Sequence, residues 1–213
     1  MNVLELFSGT GSIGKVCHQI GWEVVSVDLE LPATHECDIM DFDYKQYPKD
    51  YFSIVWASPP CTNYSKLQDG WLGRMRKGEI YTKEIQEKEM NEDDKLVLKA
   101  LEIIEYFNPE VWFMENPAGS RMKDRSFMKD LPNYIVDYCM YSDWGYRKRT
   151  RIWTNKKDWN NLLCNKKCGN MINNLHKNNL GNTLRRKKTA GISLSQQDRY
   201  RIPERLIISL FLD

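Results

Sequence analysis

Short apolar runs alternate with helical stretches over the first 155 residues, and this alternation limits the fold more than any other feature of the sequence. The runs lie at 2–7, 23–28, 35–43, 51–58 and 109–117, with a final pair at 133–141 and 149–155. The segment 94–107 carries its apolar residues on one helical face, and a shorter helix is expected at 13–21. Strands that alternate with helices predict an α/β protein with a mainly parallel, doubly wound sheet.

An unusual cluster of residues stands within or just past most of these runs. The clusters are the glycine-rich stretch 8–14, Asp28, Asp38, the sequence Pro59-Pro60-Cys61, and the sequence Glu115-Asn116-Pro117. In a parallel sheet the chemistry gathers at the carboxyl ends of the strands, which lie at one edge. The sequence therefore predicts an active site at that edge.

The size and charge of the chain leave its partner open. A length of 213 residues suits one domain with a small appendage, and 41% apolar with 28% charged residues is ordinary for a globular protein. The net charge is only +2, but the basic runs 146–151, 155–157 and 184–188 lie in the C-terminal half. This distribution favours a polyanionic partner, and a solvated lysine-rich surface explains it about equally well.

The N-terminus lacks the basic and apolar regions of a signal peptide, and no window approaches the ~20 apolar residues of a membrane span. We therefore expect an intracellular protein, in the cytoplasm or the nucleus, that has no membrane partner and acts as a monomer. The six cysteines are then expected to be free, catalytic or metal-bound rather than paired in disulfides.

Glycines 9, 11 and 14 form a G-x-G-x-x-G pattern between a strand and a helix. Such a loop lets a nucleotide-bearing ligand approach the backbone, although a tight turn alone also explains the glycines. Asp28 ends the next strand, where an acid accepts hydrogen bonds from ribose hydroxyls. A P-loop lysine is absent, which argues against a nucleoside triphosphate. The loop fits a nucleoside-type cofactor without a diphosphate.

Cys61, Glu115 and the pair Arg149 and Arg151 are the candidate catalytic side chains. Two prolines fix the backbone before Cys61, as a directed nucleophile requires, and a buried packing cysteine is the alternative. Glu115 ends an apolar strand, where shielding raises a carboxyl pKa and suits it to donate a proton; a surface glutamate is the alternative. The arginines share a strand face and suit a carbonyl oxygen, Glu115 or a phosphate, unless the strand is merely exposed and basic.

Taken in order, these motifs resemble those of the DNA (cytosine-5) methyltransferase family over residues 1–155. The similar segments are LELFSGTGSIG for the cofactor loop, VDLE for the ribose acid, CDIMDF for the adenine contact, SPPCTNYS for the nucleophile, ENP for the Glu-Asn motif and RTR for the paired arginines. The resemblance implies a Rossmann-like class I fold that uses S-adenosylmethionine. It implies cofactor contacts from Phe7, Ser8, Gly9, Gly11, Asp28, Leu29, Asp38 and Pro60.

The resemblance also implies a mechanism. The Cys61 thiolate would add to cytosine carbon 6, Glu115 would protonate or hydrogen-bond ring nitrogen 3, and carbon 5 would take the methyl group. Arg151 would hold the O2 carbonyl, and Arg149 would support the site. A base inside a duplex cannot meet Cys61, so the target would be flipped out, and the loop after Cys61 would close over it.

The sequence departs from the family pattern at several positions. Thr62-Asn63 follows the nucleophile where a small pair such as Gln-Gly is usual, Arg147 replaces a glutamine, and Pro117 replaces the commoner valine. The usual C-terminal Gly-Asn-Ser motif is missing. Only about 35 residues remain for target recognition, little for duplex reading that commonly buries ~1,000 Å². We therefore expect a compact member of the family with a reduced recognition region.

The segment 156–190 is rich in Asn and Lys, and we interpret it as a small C-terminal insert. Cys164, Cys168 and His176 have zinc-ligand spacing there, and Cys139 is available as a fourth ligand; unrelated cysteines are the alternative. Residues 191–213 are expected to return to the core through an apolar helix at 203–212. The tract 66–95 lacks aliphatic periodicity and is interpreted as a long mobile loop.

Two further functions stay open. One branch of the family acts on transfer RNA, so cytosine in RNA is an alternative substrate. The other alternative is a non-catalytic nucleic-acid-binding relative, against which the intact Cys61, Glu115 and arginine pair argue.

Overall fold

The computed structural model describes residues 1–178 and 195–212. Its strands are β1 Asn2–Leu6, β2 Glu23–Asp28, β3 His35–Glu36, β4 Ile54–Ala57, β5 Met75–Arg76, β6 Glu79–Ile80, β7 Val111–Pro117, β8 Asn133–Asp137, β9 Arg149–Thr154, β10 Met171–Ile172 and β11 Leu175–His176. Its α-helices are α1 Ser12–Gln19, α2 Lys83–Phe107, α3 Gln196–Tyr200 and α4 Glu204–Leu212. Short 3-10 helices cover Tyr44–Gln46, Lys66–Trp71, Arg121–Asp124 and Tyr138–Met140.

Seven strands form one sheet in the order β3-β2-β1-β4-β7-β9-β8. β3, β2, β1, β4 and β7 are parallel, and β9 runs antiparallel to both β7 and β8. The expected mainly parallel, doubly wound sheet is confirmed. The crossing from β1 to β4 in the sheet leaves the loops after β1 and β4 side by side, which is where such sheets bind ligands.

Apolar side chains from helices cover both faces of this sheet. One core joins α1 and α4 to Val3, Ile54 and Trp56, and the other joins α2 to Leu4 and Val55. Because β4 is covered on both faces, all four of its residues are buried. This explains why the strand is a continuous apolar run rather than an alternating one.

Helix α2 begins at Lys83 rather than near residue 94, so the interpretation of 66–95 as one long loop is wrong. The Thr82 side chain caps the helix by accepting a hydrogen bond from the Ile85 N–H. The first three turns bury Gln86, Met90 and Asp94, and two of these three are polar. Because two of the buried positions are polar, the apolar residues of this segment do not recur with a helical period in the sequence.

Two other boundaries differ from expectation because turns compete with the strands. β3 covers only His35–Glu36 of the expected 35–43, and Asp38 then turns the chain by accepting a hydrogen bond from the Met40 N–H at 2.9 Å. β8 ends at Asp137, and the rest of its apolar run forms the 3-10 helix Tyr138–Met140.

The C-terminal helix α4 packs on the α1 face of the sheet. Residues 179–194, which include the basic run 184–188 and the boundary between 156–190 and 191–213, lie outside the described residues. Among the helices that are described, none has the length and apolar character to cross a bilayer.

Candidate active site and metal centre

The loops that follow β1, β4 and β7 meet at one edge of the sheet. In the parallel ladder Leu6 lies opposite Ala57, and Ala57 lies opposite Met114. Beyond the strands, the Asn116 side-chain amide donates a hydrogen bond to the Pro59 carbonyl oxygen at 3.0 Å. This bond joins the loop that carries Cys61 to the strand that carries Glu115.

The glycine loop is fixed by a buried acid that the sequence analysis did not single out. Glu5 is 3% exposed, and its two carboxylate oxygens accept hydrogen bonds from the N–H groups of Ile13 and Gly14 at 3.1 and 3.0 Å. A Cβ at Gly14 would lie 3.3 Å from the Glu5 carboxylate, which explains the third glycine of the motif. Burial raises the pKa of Glu5 to about 7. The position of Glu5 inside an apolar strand run was the feature of the sequence that could have indicated a buried acid.

Asp28 holds the other side of the same loop. Its Oδ2 accepts a hydrogen bond from the Gly9 N–H at 2.7 Å, and its Oδ1 accepts from Glu30 and Leu31 at 3.0 and 2.9 Å. A carboxylate offers about four lone-pair sites, so one acceptor position remains for a ribose hydroxyl. The nearby Ser8 hydroxyl is buried and has no hydrogen-bond partner among the described residues.

A cavity of about 530 Å³ lies beside the glycine loop. Of the expected cofactor contacts, Ser8, Gly9 and Gly11 line it, whereas the described lining does not include Phe7, Asp28, Leu29, Asp38 and Pro60. It extends instead along α1 and β2, where its other lining residues include Lys15, His18, Ser26 and Thr34. Its size suits a nucleoside-type ligand.

Cys61 is half-buried on the loop after β4. Burial raises the pKa of its thiol, and the negative charge of Glu115 raises it further. The positive charge of Lys148 acts in the opposite direction and lowers this pKa. The charges of Glu115 and Lys148 therefore act on the Cys61 thiol in opposite directions, and Lys148 was not foreseen from the sequence.

Glu115 is 6% exposed and contacts two groups through its Oε1. The Tyr138 hydroxyl donates a hydrogen bond at 3.3 Å, and the Lys148 ammonium forms an ion pair at 3.3 Å. The same ammonium lies 4.9 Å from the centroid of the Tyr138 ring. Sequence reasoning missed Lys148 because it stands between Arg147 and Arg149 in a run of basic residues.

The two candidate arginines have other partners. Arg149 makes a two-pronged contact with the fully buried Asp137, through Nε at 2.9 Å and Nη2 at 2.7 Å. Arg151 donates to the Asn133 side-chain oxygen, and its Nε is buried without a partner among the described residues. Within the described part of the chain, neither guanidinium contacts Glu115.

Strand register explains this separation. Glu115 lies directly opposite Ile152 in the β7–β9 ladder, and Arg151 lies opposite Asn116. Residues directly opposite in an antiparallel pair share a face, so Glu115 and Arg151 start from different faces of the sheet.

The loop after Cys61 is anchored to α2 and to the segment after β7. Asn63 donates to Asp93 at 3.1 Å, and the Tyr64 hydroxyl donates to Asp94 at 2.7 Å. Arg121 Nη2 donates hydrogen bonds to the two carboxylate oxygens of Asp69 at 2.8 and 2.7 Å. The closure of this loop over a target base stays a prediction.

The four expected metal ligands meet at the edge of the sheet. The ligand atoms of Cys139, Cys164, Cys168 and His176 all lie within 4.8 Å of one another. Cys139, expected as the fourth ligand, lies 25 residues before Cys164 along the chain, so its distance from the other three is set by the fold and not by local spacing.

A curated relative matches nearly the full length of this chain. No family model matches the chain. A curated protein of Frog virus 3 (isolate Goorha), described as a probable DNA (cytosine-5)-methyltransferase, is 38% identical over 221 residues, which covers 99% of this chain and 98% of the relative. The solved structure of the Entamoeba histolytica methyltransferase EhMeth shares the fold, with a TM-score of 0.51 and 15% identity. That match covers 77% of this chain and 55% of EhMeth.

The relative's identity and nearly complete coverage agree with the strand order and with the ordered motifs at the sheet edge. The chain belongs to the DNA (cytosine-5)-methyltransferase family.

Proposed function

We propose that this protein transfers a methyl group from S-adenosylmethionine to carbon 5 of cytosine in DNA, with Cys61 as the nucleophile. The observation that carries this proposal is the placement of Cys61 and Glu115 on neighbouring segments at one sheet edge. The Asn116 to Pro59 hydrogen bond of 3.0 Å ties their two segments together, and the charge of Glu115 acts on the Cys61 thiol.

The residues at the glycine loop fit a nucleoside-type methyl donor. The Ser8 hydroxyl lacks a partner among the described residues, and Asp28 keeps an acceptor site for ribose. Gly9 and Gly11 have φ angles of +52° and +65°, which leave the backbone open to close approach. The other proposed contacts are Phe7, Leu29, Asp38 and Pro60. The bound donor would supply an electrophilic methyl group.

The proposed chemistry begins at the cytosine ring. The Cys61 thiolate forms a bond to carbon 6, and the electron pair of the 5,6 double bond moves toward carbon 5 and the N3 side of the ring. Glu115, protonated on its free carboxyl oxygen, donates a hydrogen bond or its proton to nitrogen 3 and so stabilises the charge that develops there. Because the contacts of Tyr138 and Lys148 fall on Oε1, we assign Oε2 to the base. Carbon 5 would take the methyl group as its bond to the donor sulfur breaks, leaving a neutral thioether. Loss of the carbon-5 proton to solvent water would then return its electron pair to the 5,6 bond and expel the thiolate from carbon 6.

The arginines take supporting parts in this proposal. The buried Nε–H of Arg151 has no partner in the described structure, which supports its role as a donor to the O2 carbonyl. Arg149 is committed to Asp137, which supports an indirect role in fixing β9 against β8.

The substrate must reach a half-buried thiol, so the target cytosine has to leave the helical stack. DNA is the substrate that we propose, in the intracellular compartment that holds it. One chain supplies every proposed catalytic residue, which supports a monomer. In this proposal the group Cys139, Cys164, Cys168 and His176 takes no part in the methyl transfer.

The test is a covalent adduct with DNA that contains 5-fluorocytosine. Fluorine at carbon 5 cannot leave as a proton does, so the enzyme should remain attached in the presence of S-adenosylmethionine. We expect a shifted band on a denaturing gel for the wild type and for Cys37→Ala, and none for Cys61→Ser. An adduct with Cys61→Ser, or none with the wild type, contradicts the proposal.

Substrate class is tested separately with labelled methyl donor. Duplex DNA and transfer RNA of matched cytosine content are offered at equal concentration, and the label in each is counted. Preferential labelling of transfer RNA would replace DNA by RNA as the substrate.

A further inference from the structure

Three sulfur atoms and one ring nitrogen converge from separate segments of the chain. Cys164 Sγ lies 3.5 Å from Cys168 Sγ, and the His176 Nε2 lies 3.6 and 3.4 Å from these two sulfurs. Cys139 completes a group whose ligand atoms are all within 4.8 Å of one another. A tetrahedral zinc ion with Zn–S of about 2.3 Å spaces its sulfurs by about 3.8 Å, so these side chains already stand near ligand spacing.

The backbone around these residues is shaped to present them. Lys166, inside the Cys-x-x-x-Cys turn, has a φ of +67°, and its N–H donates to Cys164 Sγ at 3.4 Å. A lysine in the left-handed region carries a strain that persists only where the surroundings favour it. Asn173 and Asn174 have φ of +49° and +62° and form the two-residue turn between β10 and β11, which returns His176 to the cysteines.

The alternative is three buried thiols that pack without a metal, and the size of the core argues against it. The only fully buried apolar side chains of this cluster are the three cysteines, at 3% to 8% exposure, with Met140 and Met171 partly buried beside them. A core of this size cannot order a segment rich in Asn and Lys by hydrophobic burial alone. Metal binding supplies the missing stabilisation in small domains of this kind.

The surrounding charges also match a metal centre. Zn²⁺ with three thiolates has a net charge of −1. Asp137 accepts a hydrogen bond from the Cys164 N–H at 2.8 Å and adds a second negative charge. Two cations oppose these charges, Arg149 at 2.7 Å and Arg147 at 3.6 Å from the Asp137 carboxylate. The centre with its nearest ion pairs is therefore neutral.

We propose that Cys139, Cys164, Cys168 and His176 bind one zinc ion in a closed, structural site. Four protein ligands fill a tetrahedron and leave no open position for water or substrate. The ion joins the end of β8 to the segment 164–176, and so fastens the insert to the edge of the main sheet.

The same segment is hydrogen-bonded to the loop that leads to Lys148. This part of the inference rests on the proposed function. The Asn170 side chain donates to the carbonyls of Cys139 and Ser142 at 2.9 and 2.7 Å and accepts from the Gly145 N–H at 2.9 Å. The Asn178 N–H donates to the Gly145 carbonyl at 2.7 Å. Loss of the metal would loosen this loop and the ion pair between Lys148 and Glu115.

The first experiment is elemental analysis of full-length protein purified without added metal. We expect one equivalent of zinc per chain. Less than about half an equivalent in folded protein, or another metal in its place, overturns the inference. The Cys164→Ser, Cys168→Ser double variant should lose the zinc, and Cys37→Ala, which changes a cysteine outside the cluster, should keep it.

A second measurement decides the matter if the double variant does not fold. Wild-type protein is stripped with a chelator and titrated with Co²⁺. Intense visible bands and thiolate-to-cobalt charge transfer, saturating at one equivalent, are expected for a tetrahedral site. Weak bands without charge transfer would overturn the site. Stripping should also lower the Tm by roughly 10 °C, restored by zinc. None of these readouts needs DNA or the methyl donor, so they separate failure here from failure of the proposed function.

Discussion

At the scale of single residues, the site depends on how three charges share a small space. Burial and Glu115 both disfavour the Cys61 thiolate, and Lys148 favours it. A thiol with a raised pKa is mostly protonated at neutral pH, and the thiolate is the nucleophile. Lys148 acts on both groups: it pairs with Glu115 and limits the rise of the Cys61 pKa.

Replacing Lys148 by glutamine should therefore lower the reactivity of Cys61, the proposed nucleophile. Removal of the positive charge raises the Cys61 pKa further. The fraction of Cys61 that is present as thiolate at neutral pH therefore falls. We expect alkylation of Cys61 by iodoacetamide at pH 7 to slow by roughly three- to tenfold, with the pH profile displaced to higher pH. Mass spectrometry of the Cys61 peptide measures the rate without DNA or cofactor.

Two matched variants test the cause. Lys148→Arg keeps the charge and should restore most of the rate, whereas Glu115→Gln removes the opposing charge and should speed alkylation. An unchanged pH profile for Lys148→Gln would refute the role of Lys148.

At the scale of elements, β1 and α1 are joined by Glu5. Helix α1 begins after Gly11, which supplies no side-chain cap. The Glu5 carboxylate replaces that cap by accepting the N–H groups of Ile13 and Gly14. The glycine loop is therefore held by an acid from the preceding strand as well as by Asp28.

This arrangement predicts a pH dependence of stability. The pKa of Glu5 is about 7 in the folded protein against 4.5 for an unperturbed glutamate. Below pH 4.5 the group is protonated in both states, and between 4.5 and 7 only the folded state holds the proton. The contribution of Glu5 to the free energy of unfolding is thus fully present below the unfolded pKa. It is lost as pH rises through the folded pKa, a decrease of roughly 3 kcal/mol.

Glu5→Gln has no titrating group at this position, so it should remove the decrease in stability between pH 4.5 and pH 7. Urea unfolding at pH 5 and pH 7.5 should show the stability of the variant rising relative to the wild type as pH increases. Glu23→Gln, at an exposed position, should follow the wild type. A parallel pH course for wild type and Glu5→Gln would contradict the assigned pKa.

At the scale of the whole molecule, the C-terminal helix completes the core on the α1 face. Leu206, Ile207 and Leu210 of α4 are fully buried, and the Phe211 ring stacks with Trp22 and Phe113. Just before α4, the Ile202 N–H donates to the Ser12 hydroxyl at 3.1 Å. The end of the described chain therefore supports the helix that carries the glycine loop.

Leu206→Ala should destabilise the protein by about 2–5 kcal/mol, because it opens a cavity at a fully buried position. Denaturant unfolding measures the change. Leu212→Ala, at a side chain that is 55% exposed, is the matched control and should change stability by less than about 0.5 kcal/mol. Equal effects of the two variants would contradict the packing of α4.

The sheet could be predicted because its strands are local signals. The run at 109–117 reappears as β7 Val111–Pro117, and the run at 149–155 as β9 Arg149–Thr154. The start of α2 could not be predicted, because Gln86 and Asp94 are buried through partners that only the folded chain supplies. Gln86 donates to Asp69, and Asp94 accepts from Tyr64.

The sequence by itself determined the order of strands and motifs, and with it the edge at which Cys61, Glu115 and the glycine loop stand. This follows because apolar periodicity and turn residues act over a few neighbouring residues, and parallel strands bring their carboxyl ends together. Tertiary structure alone decided that Lys148, rather than Arg149 or Arg151, pairs with Glu115, and how close the Cys139 sulfur lies to Cys164, Cys168 and His176. Strand register and burial set these long-range contacts, and neither is a property of any single stretch of sequence.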